Sequence, residues 1–227
     1  MSIIPFSGVL KAVKARRLRL AGAGLMLVAA SLSAEDAVRY KSFPIGNKVV
    51  IAGTSTIHDW TMEGALINGF FDIPAAVEID SAKAALAGSV DGEVKAQADV
   101  VIRVNTIHNA EFEGMSEVYL QAMKAADYPE ISFHLSELKL KPGHAAGAPF
   151  EFDAKGNLVV AGVTNAIAMP VRIETVDKAK LKISGSVPLK MTSFGLKPPV
   201  KAGIFAAGDD IKISFDWVVK LLPAKKP

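Results

Sequence analysis

Ser55, His58 and Asp59 fall within one short stretch, GTSTIHDWTMEG (53–64), and bring together a hydroxyl, an imidazole and a carboxylate. In an acyl-transfer enzyme those groups form a relay, in which histidine takes the nucleophile's proton and the carboxylate holds the imidazole. The spacing argues against that use here. Side chains alternate between faces along an extended strand, so in a strand His58 and Asp59 point opposite ways, and Ser55 lies opposite His58 by the same parity. The stretch also lacks the G-x-S-x-G elbow that lifts a serine out of a sheet. The reading favoured is a strand in a sheet wall with polar residues along one side. A hydrolase or isomerase pairing His58 with a distant carboxylate stands as the alternative, because such relays are defined by geometry and not by spacing.

Metal chemistry finds no better footing. His58, His108, His134 and His144 form no H-x-H, H-x-x-x-H or H-E-x-x-H pattern. Each is expected to be solvated or singly hydrogen-bonded. The chain has no cysteine, which removes a thiol nucleophile, thiolate zinc, iron–sulfur ligation and a disulfide scaffold together. Neither a phosphate-cradling loop nor a dinucleotide fingerprint occurs, since the glycine–aspartate turns lack a following helix. No metal, no cofactor and no enzymatic activity are expected.

The elements that must position any site are strands. In GDDIKISFDWVVKLL, Ile211, Ile213, Phe215, Trp217, Val219 and Leu221 share one face, with Lys212, Ser214, Asp216 and Lys220 on the other. Period two over that length marks a half-buried antiparallel strand. QADVVIRVNTI and ISFHLSELKL alternate in the same way, and KVVIAGTSTI, GNLVVAG, MPVRIETV and KLKISGSVPL add further runs. Asp91-Gly92, Lys141-Pro142-Gly143, Lys155-Gly156-Asn157 and Gly208-Asp209 supply turns between them. Six to nine strands at this spacing predict an antiparallel barrel or sandwich. One segment differs: Met115, Val118, Tyr119, Ala122, Met123 and Ala126 follow helical spacing. Ser116 is the expected N-cap, and Pro129 limits the helix to about Asp127. GHAAGAP (143–149) reads as a loose loop joining two strands.

Charge is unevenly placed. Lys11, Lys14, Arg16, Arg17 and Arg19 precede the apolar run LAGAGLMLVAASL (20–32), and no acidic residue occurs before Glu35. That pattern predicts a secretory signal peptide over residues 1–33, cleaved near Ser33/Ala34, with export to the periplasm. Loss of five of the 26 basic residues and none of the 23 acidic ones turns the formal charge from +3 to −2. The pI near 9.0 is then a property of the leader. No basic patch with interleaved aromatics remains, so nucleic acid is not an expected partner. Half the residues are apolar and mean hydropathy is +0.30, enough for a core without disulfides.

Soft apolar residues are plentiful beside this strand pattern. Phe70, Phe71, Met115, Met123, Tyr128, Phe133, Met191, Phe194 and Phe205 could fill a core or line a cavity for a flexible hydrocarbon. Binding of an apolar ligand is the better reading of an exported strand protein without a catalytic constellation.

Three ordered stretches carry a resemblance: YPEISFHLSEL (128–138), GNLVVAGVTNAIAMPV (156–171) and ISGSVPLKMTSFGLKPP (183–199). With GTSTIHDW, they resemble the YceI family of periplasmic lipid-binding proteins, over roughly residues 45–222. The resemblance implies an all-β fold: an extended antiparallel lipocalin-like β-barrel of about eight strands with one short helix around 116–126, spanning 34–227 as a single domain. It implies a cavity for a long amphiphile, such as an isoprenoid quinone, a polyprenyl phosphate or another lipid, and a lipid-like small molecule as partner. Homodimer formation and transient membrane contact accompany it. Carried onto this chain, it assigns Trp60, Phe71, Met123, Tyr128, Phe133, Met191 and Phe194 to the ligand's tail, and Arg103 and His58 to its head group. A further alternative is an accessory module of an envelope complex, docking through a sheet edge or Pro198-Pro199. At about 0.3 kcal/mol per heavy atom, one isoprene unit contributes only ~1.5 kcal/mol, whereas about eight units reach ~12 kcal/mol, in the nanomolar range.

Overall fold

Alternation of apolar and polar residues runs almost unbroken from Phe150 onward, and each such run is a strand of one continuous antiparallel sheet. The computed structural model describes residues 37–111, 113–201 and 205–223. The expected signal peptide and its cleavage point lie outside the described residues. The strands are, in order, β1 (Ala37–Ser42), β2 (Lys48–Ser55), β3 (Trp60–Gly64), β4 (Asn68–Pro74), β5 (Glu93–Val94), β6 (Gln97–Arg103), β7 (Glu130–Leu140), β8 (Phe150–Val160), β9 (Val163–Asp177), β10 (Lys180–Lys190), β11 (Val200–Lys201) and β12 (Phe205–Leu221).

Eight of them, β1-β4-β6-β7-β8-β9-β10-β12, form a ring that closes where β12 pairs back onto β1. The long strand β12 makes this closure possible. It holds β10 along one edge from Asp210 to Lys220. It gives Val219–Leu221 to β1 and the stretch Ala207–Asp216 to β2. β3 then pairs with β2, and a reciprocal backbone pair between Glu63 and His108 (2.8 and 2.9 Å) ties β3 to the chain that follows β6. Asn109 Nδ2 donates to the Thr61 carbonyl at 2.7 Å beside it. Closure leaves the ring without an unpaired edge, the liability of open sheets.

β1 is short for a closing strand, and one ion pair reinforces it. Arg39 donates from Nε and Nη2 to the two carboxylate oxygens of Asp72 on β4, at 2.8 and 2.6 Å. Its guanidinium also lies 4.1 Å above the Phe70 ring. Asp72 is buried and Arg39 is half-exposed. Truncation by Arg39→Ala strands a buried carboxylate. The expected loss is about 2–3 kcal/mol in urea unfolding, below the ~3–5 kcal/mol of a fully buried pair because solvent reaches half of the guanidinium. A loss under about 0.5 kcal/mol would show that β1 closes the ring without the pair.

Three expectations need correction. The stretch 53–64 is a hairpin and not one strand. β2 ends at Ser55, β3 starts at Trp60, and His58 and Asp59 occupy the turn. Ser55 Oγ builds that turn, accepting the amides of Ile57 and His58 (both 3.2 Å) and donating to the His58 carbonyl (2.7 Å).

The helix, α1 (Glu113–Ala122), lies earlier than its spacing predicted. Ser116 is inside it, with its hydroxyl accepting the Asn109 amide at 3.0 Å instead of capping. Lys124, at φ +53°, turns the chain left-handed, with Ala125 bonding back to Leu120 and Lys124 to Gln121. This Schellman cap ends the helix before the limit set by Pro129 matters.

GHAAGAP is not loose. His144 stacks on Phe150, with ring centroids 3.8 Å apart, and its Nε2 donates to the Lys83 carbonyl at 2.9 Å. Its Nδ1 is buried without a partner, so this histidine is part of the packing and singly hydrogen-bonded, as one of the two states expected of it. Gly147 bonds to Ser81, and Ser81 exchanges bonds with Thr175 on β9. These loops, with Val77, Ile79 and Leu86 buried beneath them, stopper one end of the barrel. Among the described residues no helix is long and apolar enough to cross a membrane.

Candidate functional site: an apolar channel along the barrel axis

Inward-facing side chains divide into two populations. Near the stoppered end, Phe150, Phe152, Ile73, Ile173 and Val219 are almost wholly buried, as in a close-packed core. Further along, Ile131, Phe133, Ile167, Leu189, Ile211, Ile213 and Phe215 face inward yet are only half-buried. They are half-buried because they border empty space. Strand alternation is the same in both populations, so the difference comes from how far the opposite walls stand apart.

The space forms three compartments. The helix-side compartment lies against α1, bounded by Met115, Val118, Tyr119, Ala122 and Met123, with Trp60 and Met62 of β3. Met191 and Phe194 of a short 3-10 helix (Met191–Phe194) and Phe205 of β12 complete it. Next comes a middle compartment between Ile67, Val100, Ile107, Leu158, Ile167 and Val187. The inner compartment reaches Phe71, Ala98, Leu138, Ala154, Val171 and Ile183. Ile51, Ile131 and Ile213 border both the first and the second. Val100, Phe133, Met169, Phe215 and Trp217 border both the second and the third. Through these shared walls the three adjoin in a row along the barrel axis, an apolar channel in which side chains separate the compartments. The cavity volumes are about 90, 100 and 50 Å³ in that order, so the channel is slender.

Two glycines set the bore. A Cβ on Gly156 would stand 2.5 Å from the Phe133 ring, and one on Gly185 would stand 3.0 Å from the Phe215 ring. Each aromatic ring lies against bare backbone, where a side chain would push it into the channel. Gly53 serves Trp60 in the same way, with the indole 2.4 Å from its missing Cβ and the indole N–H donating to the Thr54 carbonyl at 2.9 Å.

Among the described residues, the channel lining carries no ionisable group apart from the phenol of Tyr119. Tyr119 is 9 % exposed, its Oη is buried without a hydrogen-bond partner, and burial pushes its pKa well above the ordinary phenol range. Charge lies on the outside of the wall. Lys48 pairs with Glu63 at 3.0 Å, Arg172 with Glu151 at 3.0 Å, and Lys155 with Glu137 at 2.9 Å. His134 pairs with Asp99 across β6 and β7.

Of the residues assigned to a ligand tail, Trp60, Met123, Met191 and Phe194 gather around the helix-side compartment. Phe133 lies at the junction of the middle and inner compartments, and Phe71 lies at the inner one. Tyr128 is not brought to the channel lining; it is 41 % exposed, with its ring laid over Gly162. Neither head-group candidate lines the channel. Arg103 extends outward, its side chain 62 % exposed and 3.7 Å from Glu130. His58 is exposed in the hairpin turn, with Nδ1 2.7 Å from the Asp59 main-chain carbonyl. In each case strand or turn geometry aims the side chain away from the lumen. The sequence reading missed Tyr119 as a channel group, and it missed Ile131 and Ile213 where the helix-side and middle compartments meet. Their period had placed Tyr119 on the helix's inner face and Ile213 on the strand's inner face, without separating lumen from core.

The fold and its hollow define a class, the closed antiparallel barrels with an apolar axial channel. Within it, this chain belongs to the YceI-like domain family, matched over residues 46–219. No curated protein matches the chain. It is similar in fold to BcnA of Burkholderia cenocepacia, at 17 % identity and a TM-score of 0.57 over 78 % of this chain and 98 % of that one. It is similar as well to a polyisoprenoid binding domain from Saccharophagus degradans implicated in plant cell wall breakdown. There the identity is 13 % and the TM-score 0.57, over 81 % of this chain and 98 % of the other.

Proposed function

We propose that this chain is an exported, periplasmic carrier that holds one long, slender apolar molecule, an isoprenoid or related lipid, along the barrel axis. The observation that carries the reading is the continuity of three apolar compartments through shared walls. A close-packed core does not leave seven inward aliphatic and aromatic side chains half-buried. The lining suits a flexible hydrocarbon. Met62, Met115, Met123, Met169 and Met191 border the channel, and thioethers repack around varied shapes. The similarity in fold to a polyisoprenoid binding domain supports the same ligand class. Export follows from the leader-like N-terminus, and loading by transient contact with a membrane follows from the ligand's insolubility. Binding, and not catalysis, is the role, since Ser55 is tied into its own turn and His58 lies away from the channel.

Protein isolated from a bacterial envelope, extracted with organic solvent and analysed by mass spectrometry, is expected to yield about one equivalent of an isoprenoid-class lipid. Protein that is reproducibly empty, and that also fails to take up an octaprenyl probe, would remove the reading.

A further inference from the structure

We propose that an apolar chain enters the channel through the side of the barrel, at a cleft between β9 and β10. This rests on the carrier reading and adds to it the site of entry.

Every neighbouring pair of strands in the ring is hydrogen-bonded, but β9 and β10 stay paired over only part of their length. Their ladder runs from Lys180–Asp177 to Gly185–Val171 and stops there. Beyond it, β10 stays on β12 as far as Lys190–Asp210, and β9 stays on β8 as far as Val163–Val160. The two strands fork. Two prolines explain the fork: Pro170 of β9, next to the last paired residue, and Pro188 of β10. Proline has no amide to give a ladder, so in a sheet it is kept to the unpaired side of a strand. Pro170 keeps its place opposite Asp153 of β8, and Pro188 its place opposite Lys212 of β12. The side that each leaves unpaired is the side turned toward the other.

The fork opens a cleft of about 420 Å³, bordered by Ala166 and Ile167 on β9 and by Pro188 and Leu189 on β10. Neighbouring residues of a strand face opposite ways, so a cleft bordered by both members of each pair runs through the thickness of the wall. Its inner side chains are those of the channel. Ile167 borders the middle compartment, and Leu189 and Phe194 border the helix-side one. A chain passing through a paired wall must part backbone hydrogen bonds, whereas at the fork only side chains have to turn. A latch spans the end of the cleft away from the fork: Asn165 Nδ2 on β9 donates to the Ser193 carbonyl at 2.8 Å. The β10 side is tied to β12 instead, through Lys190 to Asp210 and Thr192 to Asp209, both at 2.7 Å.

The chain has no cysteine, so a short bismaleimide can link Ala166→Cys to Ser193→Cys and nothing else. Both positions border the cleft and are exposed, and Ser193 holds the latch through its main chain, which the substitution keeps. The probe is a triprenyl benzoquinone, whose ring quenches Trp60 and Trp217 beside the channel. Uptake by linked protein is expected to slow about tenfold, the effect of parting backbone bonds elsewhere in the wall. Release from protein linked after loading should slow by the same factor, with Kd unchanged, because blocking an entrance alters both rates alike. The unlinked double variant should exchange as wild type does. Asn165→Ala should speed uptake and release about threefold to tenfold, the effect of one hydrogen bond, again at constant Kd. Linked protein that loads and empties at the wild-type rate would overturn the portal. So would slower exchange with a weakened Kd, since the link would then act on the site and not on the entry. Unchanged rates in Asn165→Ala would overturn the latch. Protein that binds neither this probe nor an octaprenyl one, linked or unlinked, removes the carrier reading and the portal together, whereas binding at rates indifferent to the link removes the portal alone.

Discussion

Ile213→Trp is expected to turn a long-chain binder into a short-chain one. Ile213, with Ile51 and Ile131, borders both the helix-side and middle compartments, at the junction taken here as the waist, and it is half-buried because space lies beside it. An indole there fills the waist and leaves the helix-side compartment open. A ligand of about eight isoprene units would lose the part beyond the waist. If that part is about 20 carbons, at ~0.3 kcal/mol each, the loss is ~6 kcal/mol, or roughly 10⁴-fold in Kd. A three-unit ligand never reaches the waist and should bind within about threefold of its wild-type affinity. Stability should change little, because the added volume enters a void instead of a packed core, where overpacking costs ~1–3 kcal/mol. Fluorescence titration of both chain lengths, with Ile213→Leu as a volume-neutral control, measures the difference. If long and short chains weaken alike, or if the long one is untouched, the tail does not pass this waist and the channel is misassigned.

Why the waist had to be found in three dimensions is clear from β12 itself. Phe215 and Val219 occupy the same face and the same period, so the sequence places both inward. One borders the channel and is half-buried, while the other is wholly buried against the stoppered end. Period two says which way a side chain points, and nothing about how far away the opposite wall stands. That distance comes from ring closure and from the loops anchored through Ser81, Thr175 and His144, contacts between residues more than 60 positions apart. The strands were legible because local alternation dictates them. The helix was legible in existence but not in extent, since a Schellman cap on a lysine and a serine drawn into a tertiary bond both defy local preference. Tyr119 was visible on the helix's inner face, yet only the assembled lining shows that its hydroxyl has nothing to bond.

Gly69→Ala should cost more stability than any truncation in the channel. Gly69 sits at φ +147°, which side-chain-bearing residues rarely adopt, and it pairs with Val100 across β4 and β6. A Cβ there would stand 2.1 Å from the Asp99 carbonyl oxygen and 3.0 Å from the Val100 Cα. Both are backbone atoms, so no side-chain rotation relieves the overlap. The wall itself must open. Gly69 also ends a chain of hydrogen bonds across the closing seam: the Trp217 indole donates to Ser42 Oγ at 2.8 Å, and Ser42 donates to the Gly69 carbonyl at 3.3 Å. Shifting this residue loosens β12, β1 and β4 together, where β1 holds β12 through only three residue pairs. Backbone strain of ~1–3 kcal/mol and steric overlap of ~1–3 kcal/mol add to an expected loss of about 3–5 kcal/mol. Against a total of ~5–15 kcal/mol for a typical domain, that is enough to leave much of the variant unfolded at 37 °C. Gly143→Ala isolates the dihedral cost, since Gly143 has φ +92° but open space around its missing Cβ; it should lose only about 1–2 kcal/mol. Urea unfolding of the two variants side by side should therefore separate strain from collision. Equal losses would mean that the approach of β4 to Asp99 is not the constraint that keeps glycine at this position, and that the closing seam tolerates a side chain there.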